Sequence, residues 1–324
     1  VQCDTIRTYP AEMSSSNPET LRKVVADAKV VAPAKEYSMI FGSHATGWFT
    51  EECMSRGSLT RPLSVGFSSP NDGSFWKQHG DEITRTFGMD GKITYEGATI
   101  DDPGMNITEM ARALSGTKFR ALIFDACFMA SVEAVYDLRN VADYVIASSA
   151  EIMGRGMPYD LVLKYLFTSG GTEGNLMKYC SEYMRYYKEL ASGRKSGTIS
   201  LIDCSKMEAL ATAVAKVEQG GLNEVNSYDV QAFELLDESQ FFDMEHFYDL
   251  AAKDRSAYAA MQNALTDCVV YKGYTPTVFS AFGYGVFEVE RSCGLTTNIP
   301  STSYALFRSE WFKTSWARRI GRIE

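Results

Sequence analysis

A thiol and an imidazole stand at the ends of two apolar runs: Cys127 closes RALIFDAC, and His44 closes YSMIFGSH. A cysteine attacks as its thiolate, and an adjacent imidazole is the common base that takes the proton. Each run has strand length, is apolar through its middle and stops at polar or small residues, as a buried parallel strand does at its carboxyl end. Reacting groups in α/β sheets gather at that end. The two residues lie far apart in sequence, so they meet only if their strands are neighbours. The spacing therefore predicts a cysteine hydrolase with Cys127 as nucleophile and His44 as base.

The choice of base is narrow, because the chain holds three histidines, His44, His79 and His246. His44 alone has the strand-end position; His79 falls in a loop and His246 in a helical, mixed-charge segment. Seven cysteines (Cys3, Cys53, Cys127, Cys180, Cys204, Cys268 and Cys293) are scattered without a CxxC pair, which excludes the usual zinc and thioredoxin spacings. Apart from Cys127 they read mostly as small buried hydrophobes. Asp125 is a different matter, since a carboxylate ending an apolar strand is costly to bury unless it is paired or faces a cleft. It is placed either to receive an Arg or Lys side chain or to accept backbone N–H groups from a neighbouring turn.

The elements that must hold these residues alternate. CDTIRTYP reads as a strand, and SSSNPETLRKVVADAKVVAP as a helix, with Pro18 early and Leu21, Val24, Val25 and Ala28 on one face. The His44 strand follows. Between about Phe49 and Pro103, turn signals such as GFSSPNDGSFW and DDPG fill a segment longer than an ordinary connector. MNITEMARALSG predicts a helix capped at Asn106 or Thr108, leading into the Cys127 strand. Helices are then expected in MASVEAVYDLRNVA, LVLKYLF, GNLMKYCSEYMRYYKELA and KMEALATAVAKVEQGG, and strands in ADYVIASSAE and TISLIDC. This alternation implies an α/β protein whose mainly parallel sheet is flanked by helices. We expect a catalytic core over residues 1–197 and a C-terminal part over 198–324. In the latter, FFDMEHFYDLAAKDRSAYAAMQNALTDCVV is helical, and TVFSAFGYGVFEVE and CGLTTNIP extend the same sheet.

Composition narrows the class. The 324 residues are 45% hydrophobic, enough for an ample core, and carry a formal charge of -9. With no basic run to neutralise phosphates, nucleic acid is excluded as a partner. An acidic surface favours cationic substrates mildly. The longest apolar runs are of strand length, so no transmembrane segment is expected, and no signal peptide or lipidation box is visible. The absence of a G-x-S/C-x-G elbow disfavours other α/β hydrolases.

These runs as a set resemble the clostripain-like cysteine peptidases, which share the caspase-like fold. Members of that family look like a strand ending in His-Gly-x-Gly-Trp, a later strand ending in Asp-Ala-Cys-x-Met before a helix with an acidic residue, and a third strand ending in a Ser/Glu loop with Gly and Tyr. Here these are SHATGW (His44, Gly47, Trp48), DACFM (Asp125, Ala126, Cys127, Met129) followed by Glu133, and ASSAEIMGRGMPY (Ser148, Ser149, Glu151, Gly154, Gly156, Tyr159). The resemblance covers most of the chain.

It implies an endopeptidase with a Cys-His dyad that cleaves after Arg or Lys through a thioester acyl-enzyme. The oxyanion would be held by backbone N–H groups of Cys127 and of the loop at Ala45 and Gly47, with Asp125, Glu151 and Trp48 on the substrate side. It also implies peptide or protein substrates bearing basic residues, self-cleavage after Arg56, and a bacterial, secreted or extracytoplasmic protein freed of a signal. No cofactor is required. Some relatives respond to calcium, for which the acidic residues Asp81, Glu82, Asp90, Glu96, Asp101 and Asp102 offer no recognised loop pattern. Three departures stand out: Ala45 replaces the family's glycine, Arg155 enters the third loop, and the family's first strand and helix have no counterpart ahead of CDTIRTYP. They motivate the alternative, an impaired caspase-like scaffold that binds peptides or partner proteins.

Overall fold

Both runs enter one five-stranded sheet, in a computed structural model that describes residues 5–10, 13–50, 53, 104–190, 195–281, 285–300 and 305–324, with the backbone of 92–95 and 98–101. Its strands are β1 (Ser38–Gly42), β4 (Phe119–Asp125), β5 (Ala142–Ala147), β6 (Thr198–Asp203) and β8 (Val269–Tyr274), in the spatial order β1-β4-β5-β6-β8. β1, β4 and β5 are parallel; β6 runs against them and β8 against β6. Small antiparallel pairs lie apart from this sheet: β2 (Lys92–Tyr95) with β3 (Ala98–Asp101), β7 (Phe242–Asp243) with β11 (Thr296–Thr297), and β9 (Thr277–Ser280) with β10 (Gly285–Glu288).

β4 is nearly continuous in apolar residues because it is covered on both faces. Leu122 and Phe124 enter one core, with helices at Ile107–Leu114, Val132–Leu138 and Met207–Gln219. Ala121 and Ile123 point the other way, onto Tyr179, Tyr183 and Tyr187 of the helix Thr172–Glu189. Capping fixes where helices start. The Asn17 side chain accepts the Glu19 N–H at 2.8 Å, and the Ser131 hydroxyl oxygen accepts the Ala134 N–H at 3.3 Å. The cap expected at Asn106 or Thr108 is Asn106.

Four expectations are corrected. Residues 5–10 of CDTIRTYP form no strand; they are mostly exposed, with Ile6 at 70%, and have no apolar face to bury on a sheet. The long C-terminal helix breaks into Met244–Ala251 and Arg255–Cys268, because the Asp254 carboxylate caps the second at Ser256 and Ala257. TVFSAFGYGVFEVE and CGLTTNIP do not extend the main sheet; β8 does, through VVYKGY. The ladder runs one residue past β8, with the Thr275 N–H donating to Gly197 O, and stops at Pro276, which lacks the N–H to continue it. Finally, LVLKYLF forms only a turn of α-helix, Tyr159–Val162, followed by a 3-10 turn, Leu163–Leu166. Among the described residues no helix is long and apolar enough to cross a membrane.

Candidate active site

Register brings the two reactive residues together. Phe41 pairs with Phe124 and Gly42 with Asp125, and the Phe41 and Phe124 rings stack at 5.2 Å. The ladder continues one residue further, with the Ser43 N–H donating to Asp125 O at 3.4 Å. His44 and Cys127 each follow the last registered pair by two residues, so they emerge side by side from adjacent parallel strands, whose axes lie about 4.8 Å apart. His44 is half-buried, and Cys127 is 1% exposed.

The chain turns sharply after the thiol. Phe128 has φ 60°, in the left-handed region that a bulky residue rarely occupies. Its surroundings hold it there: the Phe128 N–H donates to Ala150 O at 3.2 Å, its carbonyl accepts from Ser131 N–H at 3.2 Å, and its ring stacks on Phe241 at 4.4 Å. The turn leaves Cys127 Sγ facing the segment beyond β5, where the Ile152 N–H donates to it at 3.3 Å. A donor to sulfur favours the charged thiolate, whereas the Ile152 carbonyl, 4.0 Å from Sγ, accepts from the neutral thiol.

Asp125 faces the opposite core, under the loop 153–159. Its Oδ2 accepts the Tyr159 hydroxyl at 2.6 Å and the Met157 N–H at 3.2 Å. Gly156, at φ +65°, crosses so close that a Cβ there would collide with Oδ2 and lie 3.0 Å from Oδ1. The Gly156 carbonyl is itself held by the Tyr187 hydroxyl at 2.7 Å. Of the two sequence options, the contacts show the second: the carboxylate is 1% exposed and accepts a loop N–H and a hydroxyl.

The remaining predicted residues separate. Ala45 and Gly47 line the His44 loop, where Gly47 packs against the Phe128 carbonyl. Trp48 and Glu151 do not face an open substrate cleft. Trp48, 4% exposed, packs edge-on against Phe49 and Phe307, because a large ring is held best in the core. Glu151, 2% exposed, accepts the Ala281 N–H at 2.6 Å and the Ser280 hydroxyl at 3.3 Å, bonds that offset the cost of burying it. Arg155 is exposed and makes no ion pair among the described residues. Arg56, His79 and the acidic stretch considered for calcium lie outside the residues whose side chains are described. His246 is structural: its Nδ1 accepts the Gln231 N–H at 3.0 Å, and burial, with Arg291 nearby, lowers its pKa.

Glu133, in the first turn of the helix after Cys127, is wholly buried and joins that helix to the C-terminal segment. Its Oε1 accepts the Thr297 hydroxyl at 2.9 Å, the Asn298 N–H at 3.0 Å and the Trp311 indole N–H at 2.8 Å. Burial nevertheless raises its pKa above the usual carboxylate range, against the lowering effect of those bonds. Sequence reasoning missed the Ile152 N–H and the Phe241 ring. A backbone donor has no signature in residue type, and Phe241 is one aromatic among many.

A mostly parallel, helix-flanked sheet that sets a thiol and an imidazole at adjacent strand ends is the caspase-like arrangement of a cysteine peptidase. The chain belongs to the clostripain family of C11 peptidases, whose sequence profile matches residues 68–286. It is a clostripain-like cysteine endopeptidase. Among solved structures it is similar to a secreted C11 cysteine protease from Bacteroides thetaiotaomicron, with 23% identity over 95% of this chain and 78% of that one and a TM-score of 0.74. An inactive zymogen C11 protease from Parabacteroides distasonis has 21% identity, coverage of 99% and 82%, and a TM-score of 0.75. A clostripain from Bacteroides thetaiotaomicron in complex with the peptide inhibitor BTN-VLTK-AOMK has 27% identity, coverage of 67% and 94%, and a TM-score of 0.60. No curated protein sequence matches the chain.

Proposed function

We propose that this endopeptidase cleaves after Arg or Lys through a dyad of Cys127 and His44. The observation that carries the reading is the in-register pairing of Gly42 with Asp125, which delivers the imidazole and the thiol from neighbouring strand ends. His44 takes the thiol proton as Sγ bonds to the scissile carbonyl carbon. The carbonyl oxygen, negative in the tetrahedral intermediate, is held by backbone N–H groups of Cys127 and of the Ala45–Gly47 loop. As the C–N bond breaks, the imidazolium gives its proton to the leaving amine, which leaves a thioester that water hydrolyses with His44 again as base. None of these steps requires a metal ion.

Asp125 supports a basic preference. A carboxylate two residues before Cys127 suits a guanidinium or ammonium group. The related clostripain was trapped with an inhibitor whose peptide, VLTK, ends in lysine. The Arg56–Gly57 bond offers a site for self-processing, in keeping with the zymogen form of a relative. The protein acts outside the cytoplasm of a bacterium, as its secreted relative does.

The test is hydrolysis of fluorogenic peptides with Arg, Lys, Asp or Leu before the reporter, comparing the parent with Cys127→Ala. Turnover of the Arg or Lys peptide that the variant loses is the expected result. Turnover of only the Asp or Leu peptide would discard Asp125 as the selecting group. A parent inactive on all four, with self-cleaved and intact chains both tried, would leave the impaired scaffold as the better account.

A further inference from the structure

Glu151 is a carboxylate in the core that the mechanism above does not use. It stands in a segment, Ser148–Ile152, laced to the nucleophile's turn by the Ala130 N–H to Ser148 O at 2.9 Å and the Phe128 N–H to Ala150 O. The first half of the segment is anchored to β6, because Thr198 Oγ1 accepts the Ser149 N–H at 3.0 Å and the Ala150 N–H at 3.1 Å. The second half is anchored by Glu151, whose two oxygens take the Ser280 hydroxyl and the Ala281 N–H at the end of β9. The next residue, Ile152, donates its N–H to Cys127 Sγ.

Resting on the assignment of Cys127 as nucleophile, we propose that Glu151 is a positioning residue: by clasping Ser280 and Ala281 it fixes the Ile152 N–H against Cys127 Sγ and so stabilises the thiolate. A carboxylate suits this task because its two acceptor oxygens can take a backbone donor and a hydroxyl together. The Ile152 amide has no side chain to aim it, so its direction depends on the residues that pin the segment on either side. An N–H held at a sulfur favours the ionised form, whereas the same N–H rotated away leaves the thiol to ionise in a nearly closed, poorly solvated site. The charge of Glu151 is not what helps the thiolate. A negative group near a negative sulfur opposes ionisation, so any benefit must come from reach and geometry.

That distinction sets the experiment. Alkylation of Cys127 by iodoacetamide is followed from about pH 5 to 9 by peptide mass spectrometry, giving the pH midpoint of thiolate formation without requiring turnover. Parent, Glu151→Gln, Glu151→Asp and Glu151→Ala are compared. The titratable groups around the thiol stay constant through the series: His44 from the loop after β1, Tyr183 from the helix Thr172–Glu189, and Asp125, two residues earlier on β4. Gln keeps the reach and loses the charge, its carbonyl accepting the Ala281 N–H and its NH2 donating to the Ser280 hydroxyl oxygen; Asp keeps the charge and loses one methylene of reach.

The expected result is a Gln midpoint at or slightly below the parent's, with Asp and Ala midpoints raised by about one pH unit. That shift slows alkylation and kcat/KM by about tenfold at pH 6, with recovery at high pH and KM for the Lys or Arg peptide unchanged. A parental Asp variant with an impaired Gln variant would overturn the proposal in favour of a charge-based role, as would a raised KM in Gln alone. Unmoved midpoints in Asp and Ala would overturn it outright. If Ala fails to fold, the Asp and Gln pair still decides. A parent with no turnover but an intact alkylation series would sink the peptidase specificity and leave this inference judged on its own readout.

Discussion

Gly47, in the loop that follows His44, lies so close to Phe128 that a Cβ on it would come within 2.7 Å of the Phe128 carbonyl oxygen. The two loops that carry His44 and Cys127 are therefore one packed unit rather than independent appendages of the sheet. The same Cβ would meet the Phe241 ring at 2.7 Å, and Gly47 has φ +57°, where an L side chain is strained whatever the space.

Gly47→Ala should accordingly lower stability by about 1–3 kcal/mol through backbone strain and the collision. It should reduce kcat more than it raises KM, since the loop that bears His44 must lift off the Cys127 turn. Urea denaturation and steady-state kinetics check both parts; parental values for the two would mean the loops are not coupled.

His44→Ala should cut kcat/KM by about 10²- to 10⁴-fold, the usual contribution of a positioned base. The deficit should shrink as pH rises, because the thiol then ionises without help. A pH-independent deficit would point to a role other than proton transfer.

Tyr159→Phe removes the 2.6 Å bond from its hydroxyl to Asp125 Oδ2, and a hydrogen bond to a charged group is worth about 1.5–3 kcal/mol. The carboxylate should lose its fixed direction, raising KM for Arg and Lys peptides while leaving iodoacetamide alkylation of Cys127 at the parental rate. Equal effects on all peptides would separate Asp125 from specificity.

Glu133 predicts a pH dependence of stability. Burial raises its pKa in the folded state, so between the unfolded value of about 4.3 and the raised folded value the native protein binds more protons than the unfolded chain. Stability from this group is greatest below the unfolded pKa and falls as pH rises toward the folded one. Glu234 and Asp243, also raised by burial, act in the same direction. In Glu133→Gln this part of the slope disappears, so the melting temperature of the parent should fall relative to that of the variant as the pH is raised from about 4. A constant difference across the range would show that Glu133 titrates alike in the folded and unfolded states.

Much of the architecture was legible because burial writes itself into residue type. The apolar runs of β1, β4, β5 and β6, the Asn106 cap and the strand-end positions of His44 and Cys127 all follow from local pattern. Errors arose where local pattern had no tertiary partner, as in CDTIRTYP, or where several partners competed. TVFSAFGYGVFEVE looks as much like a sheet strand as VVYKGY does, yet Pro276, which has no N–H for the ladder, precedes it and it pairs as a separate hairpin. Trp48 and Glu151 are buried, which the sequence did not disclose for a related reason: a motif reports which residues accompany a site, not which way each one faces.

The sequence alone determined the family and the strands that end near His44 and Cys127, since thiol, imidazole and apolar alternation are properties of residue type and order. Only the tertiary structure decided what surrounds the thiol: the left-handed turn at Phe128, the Ile152 N–H at the sulfur and the clasp of Glu151 on Ala281. Those are contacts between backbone groups and distant segments. Every non-proline residue carries the same N–H, and its direction is set by packing rather than by the side chain it bears.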